Sequence, residues 1–245
     1  MPVIYEPTGK AREFGDLACN LYDGCSHGCV YCYAPGVLRK SKAAFGNPAP
    51  RKDILKRLEK DAKKYRGSET PVFLCFTCDP YQPCEDEYMI TRQAIEILSE
   101  NECAINILTK GGLRATRDFD LLKLNPLNWF GVTLTYASPQ ASDLFEPGAA
   151  LPGDRIESLR LAKNSGLNTW ISFEPIVSPL SVIGLIEYTK DFCDLYKIGK
   201  LNHCKGDGPS VTELRKYIKE AIETLDMYGK EYYIKEDTRP ILNGE

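Results

Sequence analysis

Residues 20–34 read NLYDGCSHGCVYCYA and set Cys25, Cys29 and Cys32 in C-x3-C-x2-C spacing. Three thiols this close together cannot all face an apolar core, so the run is read as a metal-ligand set or a redox group. A structural zinc site closes a tetrahedron with four protein ligands, usually from two paired motifs. This run supplies three cysteines. His27 and Cys19 are the candidates for a fourth ligand, but His27 lies between two of the cysteines and would strain a short loop to reach the same ion. An iron–sulfur cube fits better, because thiolates at two- and three-residue spacing can each take one iron corner. One iron then stays open to a substrate or cofactor.

Working outward, residues 17–22 form a short apolar strand that runs straight into the cysteine loop. Residues 35–50 are a loop rich in Pro, Gly, Ala and basic residues. Ile54, Leu55, Leu58, Ala62 and Tyr65 then recur at helical spacing, which predicts an amphipathic helix over 51–66, ended by Gly67 and Pro71. Residues 72–77 are almost continuously apolar, as expected of a parallel strand covered on both faces. The alternation continues with strands expected at 104–109, 130–135, 169–173 and 195–198, and a last one at 232–235. Helices are expected at 87–100, 117–124, 155–165, 180–192 and 211–228.

Strands alternating with helices in this way mean βαβ units and a parallel α/β sheet. Six units are too few to close an eight-fold barrel, so the expected fold is an incomplete (β/α)6 TIM-type barrel. It is read as one domain over 1–245: an arm at 1–16, a core at 17–200, and a C-terminal helix and last strand in 201–245. The cysteine loop follows the first strand, which places it at the C-terminal face where barrel active sites lie.

With Tyr31 just before its last cysteine, the loop resembles that of the radical S-adenosylmethionine (radical SAM) superfamily. Residues 77–83 (TCDPYQP), Thr91 with Arg92, Thr109 with Lys110, and Arg117 with Asp118 resemble the branch of DNA repair photolyases related to spore photoproduct lyase. The similarity runs from about residue 20 to about 177. It implies a 4Fe-4S cluster on Cys25, Cys29 and Cys32, with SAM chelating the open iron through its amino and carboxylate groups. It further implies reductive cleavage of SAM to a 5′-deoxyadenosyl radical that abstracts hydrogen from a substrate. A low-potential electron donor such as flavodoxin or ferredoxin is the implied partner.

Site residues are sought at strand ends. The second strand ends in Cys75, Thr77, Cys78 and Asp79; the Gly-Gly-Glu turn common in the superfamily is missing there, which leaves Thr77, the backbone near Cys78, and Asp79 to accept the SAM ammonium. Asp79 before Pro80 is equally a turn former. Lys110 ends the third strand and suits the SAM carboxylate, as the resemblance also implies. Thr133 and Thr135 alternate along the fourth strand and so share a face that can line the mouth. Glu174 follows the fifth strand and suits a ribose hydroxyl or a substrate donor, while Asn202 and His203 follow the sixth. The resemblance places Tyr31 on the adenine. It also places a hydrogen-atom-donating cysteine on the second strand, where Phe76 stands, flanked by Cys75 and Cys78.

The remaining features bound the function. The formal charge is −3, yet between Arg39 and Arg66 eleven Lys or Arg face three Asp or Glu, a local excess of +8. Such a stretch suits nucleic-acid phosphates or a solvated helix face. A pI near 5.6 argues against tight nonspecific duplex binding. No apolar run approaches 18 residues and no leader pattern stands at the start, so a cytoplasmic protein is expected, with its ten cysteines reduced. The favoured substrate is a nucleic-acid base or nucleotide. The alternatives are radical SAM modification of a small molecule or peptide, and a noncatalytic iron–sulfur or zinc module. Cys75, Cys78 and Cys84 are a weak candidate for an auxiliary cluster.

Overall fold

The structure is a computed structural model that describes residues 2–176, 179–201 and 210–243. Seven parallel strands lie side by side in sequence order: β1 (Leu17–Cys19), β2 (Val72–Leu74), β3 (Ile105–Thr109), β4 (Trp129–Thr133), β5 (Asn168–Ile176), β6 (Leu195–Lys200) and β7 (Glu231–Ile234). The connecting helices are α1 (Ala34–Val37), α2 (Lys42–Phe45), α3 (Ile54–Ala62), α4 (Glu85–Tyr88), α5 (Ile90–Glu100), α6 (Phe119–Leu122), α7 (Pro139–Phe145), α8 (Pro152–Asn164), α9 (Pro179–Thr189), α10 (Val211–Met227) and α11 (Arg239–Asn243). Among the described residues β1 and β7 do not pair with each other, so the sheet is an open barrel of six β/α units ended by a seventh strand. None of the described helices is long and apolar enough to cross a membrane.

Every residue of β2 is buried, which is why its sequence reads as continuously apolar. Ile105 and Ile107 of β3 pack in the large core that also holds α5 and α8 residues. The other face turns into the barrel, where Ala18, Phe73 and Trp170 form a separate small core with Phe14, Phe76 and Leu108. Trp170 fits because its neighbour on β4 is Gly131, where a Cβ would lie 2.3 Å from the indole ring. The indole N–H donates to the Asn106 Oδ1 at 2.9 Å.

Several boundaries differ from the sequence reading. The expected core ended at residue 200, but β7 pairs with β6 in full register from Leu195↔Glu231 to Ile198↔Ile234, so the sheet extends into the C-terminal part. The helix expected over 87–100 breaks at Met89, which has φ of 52°. There the Glu85 carboxylate accepts the Thr91 N–H at 3.0 Å at the start of α5, where a negative charge is favoured. The short helices α1, α2 and α7 escaped notice because one or two turns carry no readable periodicity.

The arm bridges the gap between the barrel's edges. Tyr5 pairs antiparallel with Ala18 of β1. After the 3-10 turn Gly9–Glu13, the Glu13 carboxylate accepts from the Tyr233 hydroxyl at 3.1 Å and the Glu236 N–H at 2.9 Å, while Lys10 pairs with Asp237 at 2.6 Å. Edge strands carry unpaired backbone groups, and covering them with a segment of the same chain shields them.

Two of the residue pairs that carried the photolyase resemblance, Thr91 with Arg92 and Arg117 with Asp118, turn out to be framework. Glu85 and Asp118 are fully buried. Arg117 pairs with Glu85 at 2.7 Å and with Asp118 at 2.8 Å, Arg92 pairs with Asp118 at 3.1 Å, and the Tyr22 hydroxyl donates to Glu85. This network ties the end of β1 to α4, α5 and the 3-10 turn Gly112–Asp118, behind the barrel mouth.

Candidate active site

The C-terminal ends of the strands surround a cavity of about 300 Å3. Cys25, Cys29, Tyr31 and Cys32 line it from the loop after β1, Cys75, Thr77, Cys78 and Asp79 from the end of β2, Lys110 from β3, Thr133 from β4, and Glu174 from β5. Thr135 does not line it. It lies beyond the end of β4, where its Oγ1 is 3.2 Å from the Tyr31 hydroxyl, so the alternation expected of a strand face ends at Thr133. Asn202 and His203 lie outside the described residues.

The cysteine loop has little regular structure and is held by hydrogen bonds from segments far away in sequence. The Gln82 amide donates to the Gly24 carbonyl at 3.2 Å and accepts from the Ser26 N–H at 3.0 Å. Cys25 N–H donates to the Phe45 carbonyl at 2.9 Å, Val30 N–H to the Phe145 carbonyl at 3.0 Å, and Gly148 N–H to the His27 carbonyl at 2.9 Å. The fit needs glycine at two places. Gly24 has φ of 128° and a Cβ there would meet the Phe45 carbonyl oxygen at 2.5 Å; at Gly148 it would meet the Ser26 carbonyl oxygen at 2.3 Å.

Burial pushes the Cys25 thiol well above the ordinary cysteine range and that of Cys29 to about 11, so a metal binding here must displace the protons. Burial likewise pushes His27 down to about 4, which keeps its imidazole neutral although Asp79 lies 3.5 Å away. Among the described residues no three His, Cys, Asp or Glu side chains converge on a single-ion site, so His27 does not complete one with the cysteines. Cys84 packs against the helix-side core and does not line the cavity with Cys75 and Cys78.

Asp79 is held by three hydrogen bonds. Its Oδ1 accepts from Thr109 Oγ1 at 2.6 Å and the Tyr81 N–H at 2.8 Å, and its Oδ2 accepts the Lys110 N–H at 2.7 Å. It thereby joins the ends of β2 and β3 and sets where Lys110 begins. Thr77 Oγ1 accepts from Arg51 at 3.3 Å, and the Asn20 side chain accepts the Phe76 and Thr77 N–H groups at 2.8 Å each. These side-chain bonds stand in for ladder bonds, which is why β2 stops at Leu74.

Lys110 Nζ lies 5.6 Å from the centre of the Tyr31 ring. Burial acts to lower its pKa, but the Cys29 and Glu146 charges outweigh burial and raise it, so the ammonium is kept. Tyr31 donates its hydroxyl to Glu146, which pairs with Arg155 at 2.7 Å. Arg155 also donates to the carbonyls of Thr133 at 3.0 Å and Ala150 at 2.7 Å. Glu146 and Arg155 were missed by the sequence reading, since each looks like an ordinary charged residue near a helix. Gln82 stood within the TCDPYQP run, yet its grip on Gly24 and Ser26 joins residues 58 and 56 positions apart.

A sequence model of the radical SAM superfamily matches residues 19–180 of this chain. An uncharacterised protein of Methanocaldococcus jannaschii is 28% identical over 75% of this chain and 69% of its own length. A radical SAM Nalpha-GlyT isomerase of Pseudomonas phage M6 is 28% identical over 62% of this chain, which spans only 31% of that protein. Among solved structures, spore photoproduct lyase superposes with a TM-score of 0.72 at 14% identity, covering 94% of this chain and 79% of the lyase. Streptococcus suis SuiB bound to S-adenosylmethionine superposes with a TM-score of 0.64 at 11% identity, covering 89% of this chain and 45% of SuiB. The superfamily match takes in more than half of the sequence, including the cysteine loop and the ends of β2 to β5, and on that ground the chain belongs to the radical SAM superfamily.

Proposed function

We propose that this radical SAM enzyme binds a 4Fe-4S cluster through Cys25, Cys29 and Cys32 and uses SAM to abstract hydrogen from a nucleic-acid base or nucleotide. The observation that carries the reading is the convergence of these three cysteines and Lys110 on one cavity. The donor set fits the cluster. Three cysteines on one short loop line the same cavity, one for each of three iron corners. When bound, cluster and SAM together supply one-electron cleavage of a carbon–sulfur bond and a hydrogen-abstracting radical.

The chain's own residues then position and shield. Lys110 holds the SAM carboxylate, and Thr77 with the backbone near Cys78 offers acceptors to the ammonium. Asp79, held by Thr109, Tyr81 and Lys110, fixes the turn that carries both. Tyr31, locked by Glu146, presents its ring to the adenine, and Thr133 offers a hydroxyl. Cys75 and Cys78, which both line the cavity, are the candidate hydrogen-atom donors to a product radical. A low-potential carrier such as flavodoxin or ferredoxin supplies the electron in the cytoplasm. The basic stretch from Arg39 to Arg66 supports a nucleic-acid substrate.

Anaerobic reconstitution followed by SAM and a strong reductant tests the reaction: 5′-deoxyadenosine is expected, and its absence would overturn the catalytic reading. Retention on DNA that weakens as salt rises supports the nucleic-acid substrate, whereas no retention at low salt points to a small molecule or peptide. Lys110→Met is expected to weaken SAM binding by about ten- to a hundredfold, the worth of a hydrogen bond to a charged group. Equilibrium dialysis with labelled SAM on the reconstituted variant measures it, and an unchanged affinity would remove Lys110 from the site.

A further inference from the structure

Half of the cavity is left unused by the residues assigned to the cofactor. Its wall comes from the ends of β5 and β6, the residue after β7, and the N-terminal arm, and includes Glu174, Lys200, Lys235, Lys10 and Phe14. Glu174 and Lys235 form an ion pair, Nζ to Oε1 at 3.0 Å, with side chains 21% and 3% exposed. The floor beneath them is Gly199, where a Cβ would lie 2.9 Å from Lys235 Cδ and 3.0 Å from Glu174 Cδ. Phe14 covers the pair from the arm, its ring centre 4.4 Å from the Lys235 ammonium. Lys235 therefore fixes one carboxylate oxygen of Glu174. The other, Oε2, is shut off from solvent and accepts no hydrogen bond from any described residue.

A buried carboxylate oxygen without a donor is costly, and a ligand carrying an N–H or O–H removes that cost. The rest of the wall narrows the ligand. Phe14, Tyr33 and Phe76 present aromatic rings, Phe76 being stacked on Phe73 with centres 4.3 Å apart. Aromatic walls favour a flat ring. Lys10 and Lys200 bring positive charge to the same wall.

We infer that this half is the substrate subsite, in which Glu174 Oε2 accepts from the N–H edge of a nucleobase set against the aromatic side chains. The inference rests on the radical SAM reading above and assigns Glu174 to the substrate instead of the cofactor ribose. Lys235 is a positioning residue: it orients the carboxylate that touches the ligand.

Binding of ribo- and deoxyribonucleoside 5′-monophosphates to the reconstituted full chain, in the presence of SAM and without reductant, tests it by calorimetry. At least one monophosphate is expected to bind saturably, and Glu174→Gln is expected to weaken it by about ten- to a hundredfold. The substitution inverts the contact, because Lys235 retains the amide oxygen and the NH2 then faces the ligand as a donor against a donor. Glu174→Asp keeps the charge beside Lys235 while withdrawing the free oxygen by one methylene; it is expected to weaken the same ligand, and it carries the test should the glutamine variant not fold. Saturable binding by none of the monophosphates overturns the inference, as does a Glu174→Gln variant that loses affinity for SAM but not for the nucleotide. Since binding is read without turnover, a preparation that yields no 5′-deoxyadenosine still decides this point and counts against the catalytic reading alone.

Discussion

Cys29→Ala is expected to take the reconstituted protein from about four irons per chain to fewer than one. The brown chromophore and 5′-deoxyadenosine formation are expected to disappear with them. Cys29 is held on a loop that contributes its backbone to Phe45, Gln82, Phe145 and Gly148, and only its side chain reaches the cavity. Loss of the thiol therefore removes a cluster corner without removing the bonds that hold the loop. A cube left with two cysteines has two unprotected irons and is lost. Cys84→Ala is the control, because Cys84 packs on the helix-side core away from the cavity. Iron and sulfide analysis of both variants after identical reconstitution decides the matter. A full iron complement in Cys29→Ala would show the ligand assignment to be wrong.

Arg155→Met is expected to destabilise the fold by about 3–5 kcal/mol, the cost of leaving a buried charge without its partner. Arg155 and Glu146 are 1% and 0% exposed and 2.7 Å apart. Burial acts to raise the Glu146 carboxyl, but Lys110 and Arg155 outweigh it and hold it below its ordinary value of 4.5. A carboxyl depressed by folding contributes stability above its unfolded pKa and loses it as pH falls through the folded value, so this contribution disappears on acidification below about pH 4.5. In Arg155→Met one of the two cations that hold it down is gone, so this acid-sensitive contribution should shrink. Because Glu146 also holds the Tyr31 hydroxyl and Arg155 the Thr133 carbonyl, the variant that still folds should bind SAM more weakly. Urea unfolding at pH 7 and at pH 5 measures the first effect. A stability equal to the parent protein at both would mean that the pair contributes nothing.

Much of the site was legible because barrel chemistry gathers at strand ends, and strand ends are readable where an apolar run gives way to polar residues. Lys110, Thr133 and Glu174 were picked out in this way and the cysteines by their spacing, and all line one cavity. Thr135 was misplaced because alternation was extended past the point where β4 stops. Asp79 was offered as a ligand, yet its oxygens bind Thr109, Tyr81 and Lys110, a set of partners up to 31 positions away that no local pattern announces. The pairs Thr91–Arg92 and Arg117–Asp118 were legible as a resemblance and not as a role; only packing shows them to be a buried ionic frame.

Sequence alone determined the α/β alternation, the parallel open barrel and the cysteine loop, since periodicity and ligand spacing are local properties of the chain. Tertiary structure decided what lies across the barrel: that β7 extends the sheet, that the arm bridges its open edges, that Arg155 and Glu146 lock Tyr31, and that Lys235 holds one oxygen of Glu174 and leaves the other without a partner among the described residues. Those contacts join residues 9 to 227 positions apart, and charge, burial and reach combine there only once the chain has closed.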